Sequence, residues 1–220
     1  MLQANFSYYL LGERAAVMQS CSDQIDANCQ RLIWGIAQHL REMGCCLDIV
    51  PGMNNLTAIF DPQQHNPQAM LETLQTLASS TDPSHFQTRE IHIPVIYGGE
   101  YGPDLEVVAQ HCRLSPNEVI AQHSAASYLV FFLGFQPGFA YLGGLPPSLA
   151  TPRRSDPRLQ VAAGSVGIGG GQTGVYPAVS PGGWQLIGRT SLSLFNPAHT
   201  PPTLLQRGDL VRFVVERSYA

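Results

Sequence analysis

The chain has 220 residues with a formal net charge of −4; 44% of them are hydrophobic and 13% charged. That balance supplies a full apolar core and excludes a disordered chain, which needs few apolar residues and high charge. It also excludes generic nucleic-acid binding, which depends on many phosphate-neutralising cations.

Residues 1–85 read as a small α/β domain. Residues 5–10 and 15–19 form a hairpin around Gly12. A helix is expected from near Ser22 or Asp23 to Met43 or Gly44, because Ile25, Cys29, Leu32, Ile33, Ile36 and Leu40 recur at three- and four-residue steps. Gly44 is its C-terminal stop. Residues 45–50 and 56–60 read as strands joined by the Pro51-Gly52-Met53-Asn54-Asn55 turn, and residues 67–78 as a second helix with Met70, Leu71, Leu74 and Leu77 inward. Strand, helix, hairpin, helix, strand is the pattern of a split βαβ, ferredoxin-like sandwich.

Residues 79–84 (SSTDPS) read as a linker, and residues 86–220 as a second, β-rich domain. A strand over 86–97 carries Ile91, Ile93 and Val95 on one face. Two short helices follow, at 104–112 and 115–122; Ser115, Pro116 and Glu118 make an N-cap, a first-turn proline and a capping box. Residues 128–135 form a buried strand. Short strands are then expected at 165–168, 184–188, 192–195 and 210–215, closing a whole or half barrel. The fold class is α+β.

The stretch 131–189 packs glycine and proline between aromatic residues, which forbids a helix and points to loops on short strands. Between Glu118 and Asp209 the single acid is Asp156, against Arg153, Arg154, Arg158, Arg189 and Arg207. This acid-poor interval suggests an anion site. All twelve cations of the chain are arginine, which removes Schiff-base and P-loop lysine chemistry and leaves guanidinium forks, backbone N–H groups or hydroxyls to meet carboxylate or phosphate. Phe135, Phe139, Tyr141, Tyr176 and Trp184 are either core or the apolar wall of a ligand site. The run Gly169-Gly170-Gly171-Gln172-Thr173-Gly174 satisfies GxGxxG in form, but Tyr176-Pro177 and Ser180-Pro181 follow, so no helix completes a dinucleotide fingerprint. It is a barrel corner or an anion-binding hairpin. His123 is a general acid–base candidate or a structural histidine. Paired carboxylates, HxxxH and GxSxG are missing from this block, which argues against metal and two-carboxylate chemistry there. Five cysteines without CxxC spacing and no basic, apolar leader suggest reduced thiols in a cytoplasmic protein. The most apolar run, 128–133, is about a third of a membrane span.

The segments Gly134–Leu142 (GFQPGFAYL), Pro152-Arg153-Arg154, Pro157-Arg158, Ala163–Val166 (AGSV), Gln172–Pro177 (QTGVYP), Ser180–Trp184 (SPGGW) and Gly188-Arg189-Thr190 together resemble the B subunit of bacterial 5-oxoprolinase. The family is also known as that of the sporulation-kinase inhibitor or allophanate hydrolase subunit 1. The resemblance implies an N-terminal ferredoxin-like domain, a C-terminal cyclophilin-like barrel, and a cytoplasmic complex with the larger homologous C subunit and the A subunit of 5-oxoprolinase. That complex opens the lactam of 5-oxo-L-proline to glutamate with hydrolysis of ATP, taken with Mg as a substrate rather than a tightly held cofactor. It further implies Arg153, Arg154, Arg158 and Arg189 as anion ligands, His123 for proton transfer, and Gly164, Ser165, Gln172 and Tyr176 within the binding segments. The family's other name leaves a second role open, inhibition of a sensor histidine kinase. No membrane or nucleic-acid partner is expected.

Overall fold

A computed structural model describes residues 5–22, 26–82 and 88–220. They fall into two compact units that divide between residues 87 and 88.

In the first unit, strands β1 (Phe6–Leu11) and β2 (Ala15–Ser20) make the N-terminal hairpin, with Gly12 at φ 66° in its turn. Helix α1 (Ala27–Met43) starts at Asp26, whose carboxylate accepts the Asn28 N–H, and stops at Gly44 in the left-handed conformation. The start expected at Ser22 or Asp23 falls against residues 23–25, which lie outside the described set, as does Ile25 of the expected stripe. Strands β3 (Asp48–Pro51) and β4 (Asn55–Ile59) follow, then helix α2 (Pro67–Ser80), capped by Asn66. The sheet is antiparallel in the order β1-β2-β4-β3. This is the strand order of the split βαβ sandwich with one correction: its outer strand β1 comes from the N-terminal hairpin, not from a segment after α2. Both helices bury one stripe, including Cys29, Ile33, Ile36, Leu40, Met70 and Leu74, against Ala16, Met18, Leu56 and Ala58.

The second unit holds β5 (Glu90–Gly98), α3 (Leu105–Cys112), α4 (Pro116–Ala125), β6 (Tyr128–Leu133), β7 (Ala140–Gly143), β8 (Arg158–Val161), β9 (Ser165–Gly169), β10 (Gln172–Val175), β11 (Ser180–Gly182), β12 (Gln185–Arg189) and β13 (Leu210–Tyr219). Seven of these strands close a barrel in the order β10-β7-β6-β13-β5-β12-β9, with β9 paired back to β10. Strands β5 and β13 run parallel, and the other pairs of the barrel are antiparallel. Pro94 is tolerated inside β5 because β12 pairs β5 at Ile96 and Tyr97, beyond the proline, so no second ladder bond is lost there. Strands β8 and β11 form a separate two-stranded ribbon. The capping box at Ser115 and Glu118 is present. The strand expected at 192–195 is reduced to a single bridge, Phe195 to Thr203, in a segment interrupted by Pro197, Pro201 and Pro202. The barrel is filled by Ile93, Val95, Tyr97, Val130, Leu142, Val166, Ile168, Ile187 and Phe213. Among the described residues, all five cysteines are free thiols and no helix is long and apolar enough to cross a membrane.

Candidate functional site

The β6–β7 turn, β7, the 152–158 loop, the residue that follows β10, β11 and the residues just before β12 come together around an aromatic cavity of about 230 Å³. Phe135, Phe139, Tyr141, Tyr176 and Trp184 line it, with Arg153 at its edge. Of the two roles open to these five aromatics, both are filled: Phe139, Tyr176 and Trp184 are buried, yet they face the cavity. Their rings meet edge to face, Phe139 lying 5.5 Å from both Tyr176 and Trp184 at 77° and 81°, the arrangement that aromatic quadrupoles favour. Glycines make this packing possible. A Cβ on Gly169 would sit 2.5 Å from the Trp184 indole nitrogen, and one on Gly174 3.2 Å from the same ring. Phe135, 62% exposed, adopts φ 68°. A bulky residue held in the left-handed region is strained, and such strain concentrates at functional sites. Two turn bonds pin it there: the Gly134 N–H donates to the Phe139 carbonyl, and the Phe139 N–H to the Gln136 carbonyl.

Arg153 lies over the Trp184 ring with its guanidinium carbon 5.8 Å from the ring centroid. It also lines a second cavity of about 390 Å³, shared with His111, Arg154, Asp156 and Gln185. No carboxylate pairs with Arg153 among the described residues. Its neighbours differ. Asp104, 3% exposed, accepts from Arg158 Nη2 at 2.7 Å and lies 3.5 Å from Arg154 Nη1. Its other oxygen accepts the Leu186 N–H at 2.7 Å, while its own N–H donates to the Leu186 carbonyl at 2.8 Å. The arginine loop is thereby clamped onto β12, and Arg158 is paired with a buried carboxylate that Arg154 approaches more distantly. Asp104 was invisible to a count of acids along 118–209. The local signal is Gly102, where a Cβ would collide with the Ile187 carbonyl, marking a close backbone approach to β12.

The remaining candidates are dispersed. Arg189 lies over Tyr101, 5.5 Å from its centroid, and lines neither cavity. Gly164 (φ 80°) donates its N–H to the Tyr176 carbonyl, and Gly170 donates to Thr151, so these two amides are not free to cradle an anion. Ser165 is buried on β9, and Gln172 sits at the start of β10 beside the Gly170-Gly171 tip. The glycine-rich hairpin is thus a barrel corner that makes room for the indole.

His123 is fully buried in the barrel. Its Nδ1 lies 2.8 Å from the Tyr97 hydroxyl and its Nε2 2.9 Å from Thr173 Oγ1. Thr173 donates its own hydrogen to the Gly167 carbonyl, which makes Nε2 the protonated nitrogen and Tyr97 the donor to Nδ1. The imidazole also stacks on Phe213 with centroids 4.5 Å apart. Burial drives its pKa down to about 3 and keeps it neutral. Both nitrogens are committed and the ring touches neither cavity, so the proton-transfer role expected for His123 has no geometric support; the residue ties α4 to β5 and β10.

Tyr176, by contrast, presents a hydroxyl at the aromatic cavity. Burial raises its pKa, opposed by the Trp184 backbone N–H and the nearby Arg153 and Arg158 charges; Tyr141 adds a push upward. A Cβ on Gly182 would lie 2.5 Å from that oxygen, so glycine there leaves room for the hydroxyl. Aromatic walls, one guanidinium without a carboxylate partner and the phenols of Tyr141 and Tyr176 suit a small, flat, partly apolar molecule carrying an anionic group. Among the described residues no three His, Cys, Asp or Glu side chains converge as a metal site.

The family model "Carboxyltransferase domain, subdomain C and D" matches residues 6–205. Curated relatives named as the B subunit of 5-oxoprolinase include those of Escherichia coli O157:H7, 52% identical with 95% of each chain covered, and of Bacillus subtilis strain 168, 42% identical with 91% of this chain and 89% of the relative covered. Among solved structures, the conserved uncharacterized protein PH0987 from Pyrococcus horikoshii is 40% identical over 96% of this chain and 98% of its own, with a TM-score of 0.58. TTHA0988 superposes with a TM-score of 0.79 at 34% identity; it covers 93% of this chain, which spans only 40% of its length. The Kluyveromyces lactis urea amidolyase, at 21% identity and TM-score 0.81, shares the fold over 99% of this chain and 15% of its own. By sequence along nearly its whole length and by fold, the chain belongs to the carboxyltransferase subdomain C and D family and, within it, to the group of 5-oxoprolinase B subunits.

Proposed function

We propose that this chain is one component of an ATP-dependent 5-oxoprolinase, working with a larger C subunit and an A subunit to open 5-oxo-L-proline to L-glutamate as ATP is hydrolysed. What carries the reading is near-complete overlap with relatives named as 5-oxoprolinase B subunits, up to 52% identity across 95% of both chains. The cavity supports it. At about 230 Å³ it is below the size of drug-binding pockets and suited to a single small metabolite. Arg153 would hold the substrate carboxylate, and the faces of Trp184 and Phe139 the lactam ring. A lactam carbonyl is a poor electrophile, and phosphorylation of its oxygen by ATP makes it a good one. Acids to hold MgATP are assigned in this reading to a partner chain, since Asp104 is engaged with Arg158.

The test is reconstitution. The three subunits together should hydrolyse ATP in a 5-oxoproline-dependent way and release glutamate, and omission of this chain should abolish both. Full activity without it would refute the proposal. Inhibition of a sensor histidine kinase's autophosphorylation by the isolated chain, with no effect on the oxoprolinase, would favour the regulatory reading instead.

A further inference from the structure

Resting on the proposed oxoprolinase role, we infer that Tyr176 is the proton donor to the lactam nitrogen when the ring opens. Opening requires the nitrogen to leave as an amine, and an unprotonated amide nitrogen is a very poor leaving group. A group must therefore deliver a proton within the substrate cavity. His123 is sealed in the barrel, and Ser165 is buried outside the cavity. Tyr141 and Tyr176 both line the cavity wall, and the Tyr176 hydroxyl is the one that meets Gly182 of that wall and the Arg153 and Arg158 charges. The Trp184 backbone N–H favours the phenolate form, and the O–H donates to no other described residue. The charged groups acting on it are Arg153 from the loop before β8 and Arg158 at the start of β8; Tyr141 from β7 is the other titratable neighbour. Asp104 holds Arg158 from behind. Burial keeps the phenol protonated before reaction, while two guanidiniums and one backbone N–H oppose the cost of forming a phenolate, the preorganised arrangement a general acid needs.

Water adds to the carbon of the phosphorylated lactam and loses one proton to solvent. The tetrahedral adduct then carries a hydroxyl, the phosphoryl oxygen and the ring nitrogen. The C–N bond breaks and its electron pair goes to nitrogen, which takes the Tyr176 proton. The hydroxyl oxygen re-forms the carbonyl, and its proton returns through water to the phenolate. The product is glutamate acylated on phosphate, which a second water hydrolyses to glutamate and inorganic phosphate.

The experiment uses the complex reconstituted with its partner subunits. In Tyr176→Phe, glutamate formation should fall at least about 100-fold, the lower range of general-acid contributions. The Kd for 5-oxoproline should stay within about threefold, since a single uncharged hydroxyl is lost while Arg153 and the ring faces remain. ADP released per glutamate should rise above one, because the activated lactam loses phosphate without opening. Fluorotyrosine at position 176, whose phenol is more acidic, should move the alkaline limb of the kcat–pH profile downward; this reads the same role should the Phe variant fail to assemble. Gly182→Ala, which places a methyl against the hydroxyl, should lower kcat as well. Unchanged kcat and unchanged ADP-to-glutamate ratio in Tyr176→Phe, or an unmoved alkaline limb with fluorotyrosine, overturns the inference alone. Full activity of a complex lacking this chain overturns the oxoprolinase reading itself.

Discussion

Replacing Asp104 by alanine should destabilise the barrel unit by about 3 kcal/mol. The carboxylate is 3% exposed and accepts from two partners at 2.7 Å, Arg158 Nη2 and the Leu186 N–H. Removing one member of a buried pair costs roughly 3–5 kcal/mol, because the other charge stays behind unpaired. The lower end applies here, since the Arg158 side chain is 23% exposed and can turn partly to water. Its Nη1 is already buried without a partner, so loss of Asp104 would strip the guanidinium of the anion it pairs with. The Leu186 amide would lose its acceptor too. The contact with Arg154 at 3.5 Å adds little. For a unit of roughly 130 residues, 3 kcal/mol lowers Tm by about 10 °C.

Two measurements check this. Denaturant unfolding of the intact chain should show the loss. Hydrogen exchange should show the Leu186 amide deprotected ahead of its β12 neighbours. Asp104→Asn keeps one oxygen for Leu186 but turns an NH₂ toward Arg158, so it should cost about 2 kcal/mol. In a double-mutant cycle, Asp104→Ala and Arg158→Ala should couple by about 1.5–3 kcal/mol. A wild-type midpoint in Asp104→Ala, within about 0.5 kcal/mol, would show that the clamp is incidental.

Arg153→Ala should raise the KM for 5-oxoproline at least about tenfold in the reconstituted complex, one charge-assisted contact being worth roughly 1.5–3 kcal/mol, whereas Arg154→Ala should change it far less; equal effects would contradict the assignment of Arg153 as the free cation. Folded His123 titrates near 3, below its unfolded value of about 6.5, so its contribution to stability is complete above pH 6.5 and is lost as pH falls from there toward 3. The slope is about 1.4 kcal/mol per pH unit, so between pH 6.5 and 5 the wild type should lose roughly 2 kcal/mol more than His123→Gln in urea unfolding. Gly169→Ala, pushing a methyl 2.5 Å from the Trp184 indole, should cost about 1–3 kcal/mol and shift Trp184 fluorescence, read in a Trp34→Phe background.

Local signals in the sequence translated well into structure. The stripe through Cys29, Ile33, Ile36 and Leu40 is buried along α1, and the Ser115–Glu118 capping box starts α4. The five aromatics of the glycine-proline block converge on one cavity because the glycines between them are sites where another ring needs space. Strands β7, β8, β10 and β11 were not legible, being three or four residues long and lacking any period to count. The origin of β1 as the outer strand of the first sheet was likewise hidden, because strand order is a long-range property. The pairing of arginines with an acid outside their window failed for the same reason: Asp104 is 54 residues from Arg158 and 82 from Leu186 along the chain.

That failure changes what the arginine-rich loop means. A cluster read along the sequence suggests several cations gripping one ligand. In the fold, Arg158 pairs with Asp104, the Arg154 backbone N–H donates to the Gly183 carbonyl at 2.7 Å, and the Gln185 side-chain amide donates to the Pro152 carbonyl at 3.1 Å. These contacts stitch the 152–158 loop to the strand that follows Trp184. The stitched frame fixes where Arg153 stands relative to the indole, and holding one guanidinium still beside an apolar wall discriminates ligands better than three mobile ones, since less side-chain entropy is lost on binding. Arg153 is therefore the guanidinium left for a ligand at the cavity, while Arg158, held by Asp104, still acts on the Tyr176 hydroxyl.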